Sequence, residues 1–361
     1  MKRLPTLLAL TLTAMALVGC GGEQGARQTG SSSAGDTASP VTEGPWSGEV
    51  TEPEYPLTIT DGGGHEITID APFTKVGCLY SGCEEAMADL GLLPNAILSG
   101  ETPGAFLRPV GTAPFEIKDE VSAEAWAKSG SDVIVDLAGP IGEDDKRALK
   151  SVAPVVFMNA PYQVWNPDRV VPGVQAWKED LWMMGQLTGN TVAAKAAIDR
   201  FDQFMAGLQK LAPPDAADTV VANLSVEADG VYSLTDPDSP FCDALKSYEL
   251  GQCLRIDGWD ADTWEVNAEA FLAADPEWIA YTVYSDKDSY TDRKDPVWQR
   301  LTAVQEGRVF DFSRTNCCGL RMLEHSLQDY AFHVWGPDSG VPDPGPENDF
   351  DPTKSPVLEA S

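Results

Sequence analysis

Histidine is nearly absent from this sequence, with three in 361 residues. His325 and His333 stand eight positions apart, roughly 12 Å along a helix, too far to chelate one metal ion. His65 sits in a glycine-rich turn and reads as a surface residue. The chain has no His-Glu-x-x-His, no Gly-x-Ser-x-Gly elbow and no glycine-rich phosphate loop. Metallohydrolase, serine-hydrolase and nucleotide chemistry therefore lack their usual residues, and no enzymatic activity is expected. Basic charge is scarce too: 25 Lys and Arg stand against 56 Asp and Glu, a formal net charge of −31. Such a field repels nucleic acid and anionic lipid, and disfavours a strongly anionic ligand unless local arginines override it. No apolar run reaches the roughly 20 residues that span a bilayer as a mature helix.

What is present begins with a leader. Lys2 and Arg3 precede the uncharged run Leu4 to Val18, the layout of a secretory signal peptide over residues 1–19. Leu17-Val18-Gly19-Cys20 resembles the lipobox of bacterial lipoproteins, in which the cysteine is lipidated and becomes the new N-terminus. The alternative is an ordinary leader with Cys20 incidental. Residues 20–54 are rich in Gly, Ser, Thr, Pro and Glu without apolar periodicity and read as a flexible tether. Residues 337–361, rich in Pro and Asp, read as a disordered tail. Six cysteines remain besides Cys20, in an exported chain where disulfides persist. They fall into the local pairs Cys78 with Cys83, Cys242 with Cys253, and Cys317 with Cys318. Six cysteines allow 15 connectivities, and a thiolate metal site is the alternative, although the spacings match no zinc signature. No metal site and no cofactor is expected.

Between leader and tail, strand and helix patterns alternate. "LTITDGGGHEITID" reads as a hairpin, "TKVGCLY" as a buried strand, and "SGCEEAMADLGLLPNAILSG" as a helix followed by a strand. Ser81 with Glu84 makes a capping box for that helix. "SDVIVDLAGP" and "APVVFMN" are continuous apolar strands separated by a helix, as in a parallel sheet covered on both faces. "VQAWKEDLWMMGQLTG" is a helix. Asn190 then caps a second one, whose Ile198, Phe201, Met205 and Leu208 make one apolar stripe. It runs over 190–211, about 30 Å at the α-helical rise. Alternation then resumes to a closing helix, "RMLEHSLQDYAFHVW". The fold class is α/β: two lobes with central, mostly parallel sheets, over 55–189 and 212–336, joined by the single long helix.

These pieces resemble the substrate-binding lipoproteins of ABC importers, in the class III periplasmic-binding-protein group that captures ferric siderophores, haem and cobalamin. The hairpin, "VSAEAWAKSGSDVIV", "MMGQLTGNTVAAKAAIDRFDQFMAGL", "DPEWIAYTVYS" and "DPVWQRLTAVQEGRVFDF" carry the resemblance in matching order. Gly130-Ser131 departs from the Lys-Pro usual in that family, as does the cysteine content. The resemblance implies an extracytoplasmic, membrane-tethered monomer that delivers a small metal chelate to a permease and its ATPase, with the membrane touched by the lipid anchor alone.

In open α/β sheets ligands bind beyond the carboxyl ends of the strands. The candidates there are Tyr80 and Ser81, Phe106 and Arg108, Tyr162 and Trp165, Tyr232, Tyr284 and Arg314. Aromatic faces suit a large flat or apolar guest, and arginine supplies charge-assisted bonds to its oxygens. The acidic balance favours a neutral or hydroxamate-type ferric chelate. Haem, with Tyr80 or Tyr232 as axial ligand, and cobalamin remain alternatives, as does a surface-anchored binding protein without transport. A vicinal Cys317–Cys318 bond would stiffen the loop after Arg314. Glu124 in "SAEAW" and Glu269 in "NAEAF" are the expected contacts to permease arginines.

Overall fold

The glycine-rich turn takes its meaning from what it touches. A computed structural model describes residues 44–98, 115–118, 122–137, 142–159, 171, 173–226, 232–237, 239–256, 265–282, 296–312, 319–345, 356 and 358. Strands β1 (Leu57–Thr60) and β2 (Glu66–Ile69) pair antiparallel as the alternation predicts. Ile59 and Ile69 face inward, and Thr58 meets Thr68 across the outer face at 3.2 Å. In the turn, the Gly62 amide donates to the Phe157 carbonyl. A Cβ at Gly62 would lie 2.2 Å from the backbone of Met158, so only glycine permits this approach. Asp61, buried beneath, accepts from the amides of His65 and Phe157 and from the His65 ring, whose side chain is largely exposed.

The first sheet contains β3 (Val76–Cys78), β4 (Ala96–Leu98), β5 (Phe115–Ile117), β6 (Val133–Leu137) and β7 (Val155–Met158). All pair parallel, in the order β5-β4-β3-β6-β7. Every residue of β6 and β7 is buried, because helices cover both faces. Among the described residues, the helices α1 (Ser81–Asp89), α2 (Ala123–Ser129) and α3 (Glu143–Lys150) alternate with these strands. The edge strand β5 escaped the sequence pattern, being three residues long with one side chain buried. The expected capping box is absent. Tyr80 occupies the N-cap position, its carbonyl accepts from the Cys83 amide, and Glu84 is buried instead of reaching back. A disulfide joins Cys78 to Cys83, with Cα atoms 5.5 Å apart. At the Gly130-Ser131 departure, Gly130 takes a left-handed cap (φ 66°) and the Ser131 hydroxyl bonds Asn95 and Ser129.

Helices α4 (Gly173–Thr188) and α5 (Thr191–Leu211) follow, and the predicted stripe on α5 is fully buried. Asn190 lies at the N-cap, but its side chain donates to the Thr188 carbonyl. The cap comes from far away: Glu52 accepts from the Thr191 amide at 2.8 Å and from its hydroxyl at 3.1 Å. Trp46, 4% exposed, packs against Trp182 with ring centroids 6.3 Å apart. Trp46 and Glu52, expected within a flexible tether over 20–54, are therefore packed on the helices. The polar composition of that stretch hid one indole and one carboxylate that fill needs of the helices. The tail over 337–361 is likewise partly folded. Val341 is buried, Gln328 donates to the Pro342 carbonyl, and Leu358 rests on Gly207 of α5.

The second sheet is mixed. Strand β8 (Val220–Val226) pairs parallel with β10 (Gln252–Cys253) and β12 (Trp278–Thr282), and β13 (Val309–Asp311) pairs parallel with β12. Strand β9 (Tyr232–Leu234) runs antiparallel between β8 and β11 (Glu265–Val266). Its helices are α6 (Pro240–Ser247), α7 (Ala268–Ala274), α8 (Thr302–Gln305) and α9 (Leu320–Trp335). A disulfide ties Cys242 of α6 to Cys253 of β10. Two α/β lobes are thus joined by one long helix. That helix does not stand alone, because α1, α4, α6 and α9 share with it an apolar cluster reaching both sheets. Residues 39–361 accordingly form one compact unit. Among the described residues no helix is long and apolar enough to cross a membrane.

Trp46→Ala is expected to lower stability by about 3–5 kcal/mol, the range for deleting a buried aromatic. The urea midpoint reads this directly, and an unchanged midpoint would return residues 44–54 to the tether.

Candidate ligand site at the carboxyl ends of the strands

Strands β3, β4, β6 and β7 end at Cys78, Leu98, Leu137 and Met158, and β8, β12 and β13 at Val226, Thr282 and Asp311. The connections that follow most of them lie outside the described residues. With them go Phe106, Arg108, Tyr162, Trp165, Tyr284, Arg314, Cys317 and Cys318, and Cys20 lies outside as well. Among the described residues, α1 along its length and the first turn of α9 meet α4 and the end of β7 around a small crevice of about 10 Å³.

The helices position its polar groups. Helix α9 begins at Gly319 with no side chain of its own to cap it. Glu85 of α1 does so instead, its Oε1 accepting from the amides of Arg321 at 2.9 Å and Met322 at 3.2 Å. A Cβ at Gly319 would sit 2.4 Å from that oxygen, so the contact requires glycine. Burial pushes the Glu85 carboxyl up to about 8, the neighbouring Asp89 charge adds to this, and the α9 amides and Arg321 oppose it. Burial alone pushes the adjacent Glu84 up to about 8. Asp89 accepts from Arg200 of α5 at 3.2 Å and from Arg321, and Arg200 also donates to Glu324 of α9 at 3.3 Å. Burial works against the Arg200 charge, but Asp89 and Glu324 overcome it and hold its pKa above the ordinary guanidinium value. From α4, Asp180 accepts two bonds of 2.8 Å from Asn159, next to Met158. Among the described residues, three carboxylates line the crevice, those of Glu85, Asp89 and Asp180, together with the Trp177 indole and no basic side chain.

Tyr80 and Ser81 flank this crevice in sequence, both partly exposed, at the end of β3 and start of α1. Tyr232 does not belong here. It is 1% exposed and packs on Phe271 with centroids 5.3 Å apart. Antiparallel pairing sets it beside Val226 at the carboxyl end of β8, but its ring turns into the second sheet's core. Glu124 and Glu269 are exposed in the first turns of α2 and α7. Ser122 and Asn267 cap those helices through side-chain oxygens, and each helix ends on a left-handed residue, Gly130 or Asp275, before a buried strand. Glu124 also pairs with Lys128 at 2.7 Å, which lowers its pKa. Among the described residues no His, Cys, Asp and Glu cluster could hold a metal ion.

Sequence reading passed over Glu85, Asp180 and Trp177. One signal was available: adjacent acids, Glu84-Glu85, inside an otherwise small and apolar helix.

Folded values near 8 lie above the ordinary 4.5 of a glutamate, so the native state holds extra protons between them. The stability contributed by these groups is complete below the unfolded value and is lost as pH rises through the folded one. Urea midpoints across pH 5–9 should decline over that window, and Glu84→Gln or Glu85→Gln should flatten the decline. A slope unaffected by both substitutions would remove the protons from these sites.

The comparisons agree with this architecture. No curated protein matches the chain. The structure of holo-ViuP aligns at a TM-score of 0.60 and 15% identity, covering 76% of this chain and 94% of that one. FeuA from Bacillus subtilis, a triscatecholate siderophore binding protein complexed with ferri-bacillibactin, aligns at 0.59 and 15%, covering 78% and 99%. VctP, a periplasmic catecholate-siderophore binding protein from Vibrio cholerae, aligns at 0.58 and 13%, covering 76% and 98%. At such identities the likeness is one of fold. A family model described as periplasmic binding protein matches residues 132–314, more than half of the sequence, and the chain belongs to that family.

Proposed function

We propose that this protein is an extracytoplasmic binding protein that captures a ferric siderophore or related iron chelate and delivers it to an ABC permease. The observation that carries the reading is the crevice between α1, α4 and the start of α9, beside Met158 at the carboxyl end of β7. Siderophore-binding proteins among the structural neighbours support the ligand class. The net charge of −31 and the carboxylates of the crevice favour a neutral or hydroxamate-type chelate over a tris-catecholate anion. For haem, the burial of Tyr232 leaves Tyr80 as the axial candidate, and cobalamin is the other alternative. Phe106, Arg108, Tyr162, Trp165, Tyr284 and Arg314 are proposed as the walls, with Tyr80 and Ser81 at the edge. In this reading Cys20 is lipidated and residues 21–43 form the leash, shorter than composition implied.

Native-state ligands raise melting temperature by mass action. Ferric hydroxamates are expected to shift it most in a screen that includes ferric catecholates, haem and cobalamin. A flat response to all four classes would reduce the reading to its fold.

Glu124 and Glu269 are the proposed permease contacts, because two exposed acids occupy equivalent places in two equivalent capped helices. Rim charges of this kind act on encounter rate and orientation. The double variant Glu124→Lys, Glu269→Lys should bind the chelate normally yet lose most uptake in cells. Undiminished uptake would leave both residues as solvated first-turn carboxylates.

A further inference from the structure

The two disulfides differ in where they sit. Cys242–Cys253 spans 11 positions, and Cys253 pairs with Val221 near the amino end of β8, away from the strand ends where a ligand would bind. Cys78–Cys83 spans only five positions and lies at the carboxyl end of β3. Cross-links across short loops remove the least entropy from the unfolded chain, so the weight of this bridge falls on local order in the folded one. The segment it encloses is tied down at both ends. The Leu79 amide donates to the Val135 carbonyl of β6 at 2.9 Å, and the Cys83 amide to the Tyr80 carbonyl at 3.0 Å. Leu79 and Gly82 are buried, whereas Tyr80 and Ser81 between them keep partial contact with solvent. Tyr80 has extended backbone (φ −130°, ψ 139°) and packs against the apolar cluster under both sheets. Both cysteines are 0% exposed, so a reductant reaches the bond only when the segment opens. The bridge is a fixed part of this corner and not a redox sensor.

We propose that Cys78 and Cys83 are positioning residues for ligand capture, their bond holding Tyr80 at the edge of the site so that its ring is ordered before a ligand arrives. This rests on the reading of the strands' carboxyl ends as the ligand site. A loop and an aromatic side chain that become ordered on binding subtract their lost freedom from the affinity, whereas a preordered pair has lost it already in folding. Without the bridge the two hydrogen bonds remain, but the turn from β3 into α1 is free to open and Tyr80 with it. The bridge and the Tyr80 ring therefore act as one unit in binding, which a purely structural disulfide would not do.

The test is calorimetry on the full chain with a ferric trihydroxamate, comparing the unaltered protein, the pair Cys78→Ala with Cys83→Ala, the single change Tyr80→Ala, and all three together. Removing the bridge is expected to weaken binding roughly tenfold, the scale of one or two side chains ordered on binding. Tyr80→Ala should weaken it several-fold when the bridge is present and much less when it is absent, the non-additivity of a coupled pair. The control pair Cys242→Ala with Cys253→Ala should lower the melting temperature and leave affinity unchanged. Equal weakening by both bridge removals, or additive effects of Tyr80→Ala and the loss of Cys78–Cys83, would overturn the positioning role and leave the chelate reading intact. Tyr80→Ala changes a partly exposed side chain and does not depend on the bridge-free protein folding, so unchanged affinity in it alone also overturns the proposal. If the unaltered protein binds no chelate, the chelate reading is what suffers, and hydrogen exchange decides the role of the bridge. Faster exchange confined to the amides of residues 79 and 83 in the bridge-free protein supports it, and unchanged exchange there overturns it.

Discussion

The guanidinium of Arg200 connects parts of the chain that are remote in sequence, accepted by Asp89 from 111 positions before it and by Glu324 from 124 positions after it. Both carboxylates are almost wholly out of solvent. Breaking a buried pair leaves an uncompensated charge, which is far more costly than a surface ion pair is valuable. The positions of α1, α5 and α9 are therefore set together, and Glu85 adds the cap that starts α9. The crevice exists because these three helices and α4 are held at one junction. The same need for pairing recurs nearby, where Lys178 of α4, 1% exposed, meets Asp202 of α5 at 2.5 Å.

Around that junction the long helix is held at both ends by segments that precede and follow the two sheets. Glu52 satisfies its first amide and Leu358 covers Gly207 near its other end. A connecting helix that shares one apolar cluster with four neighbours has little freedom to bend. The arrangement favours a rigid pair of lobes over a widely hinged one.

The two sheets differ in pairing, yet each includes the same local device. A polar cap starts a short helix with an exposed glutamate in its first turn, a buried aromatic anchors it, and a left-handed residue leads into a buried strand. Trp126 and Phe271 are those anchors. Equivalent pieces in two lobes put equivalent charges on the surface.

Periodicity and turn chemistry were enough to read the hairpin, the continuous apolar strands, the stripe on α5 and the local pairing of Cys78 with Cys83 and Cys242 with Cys253, because each depends on neighbours within a few turns of chain. The α/β class followed from their alternation. Long-range packing decided the rest. Tyr232 stands at the carboxyl edge of β8 yet faces the core, since which face of a strand is covered depends on what packs on the sheet and not on the strand's own residues. Trp46 and Glu52 joined the fold because a distant helix offered an apolar face and an unsatisfied amide. Glu85 became the cap of a helix 236 positions away, a role invisible from its own segment because the donors that define it arrive only when the chain closes on itself.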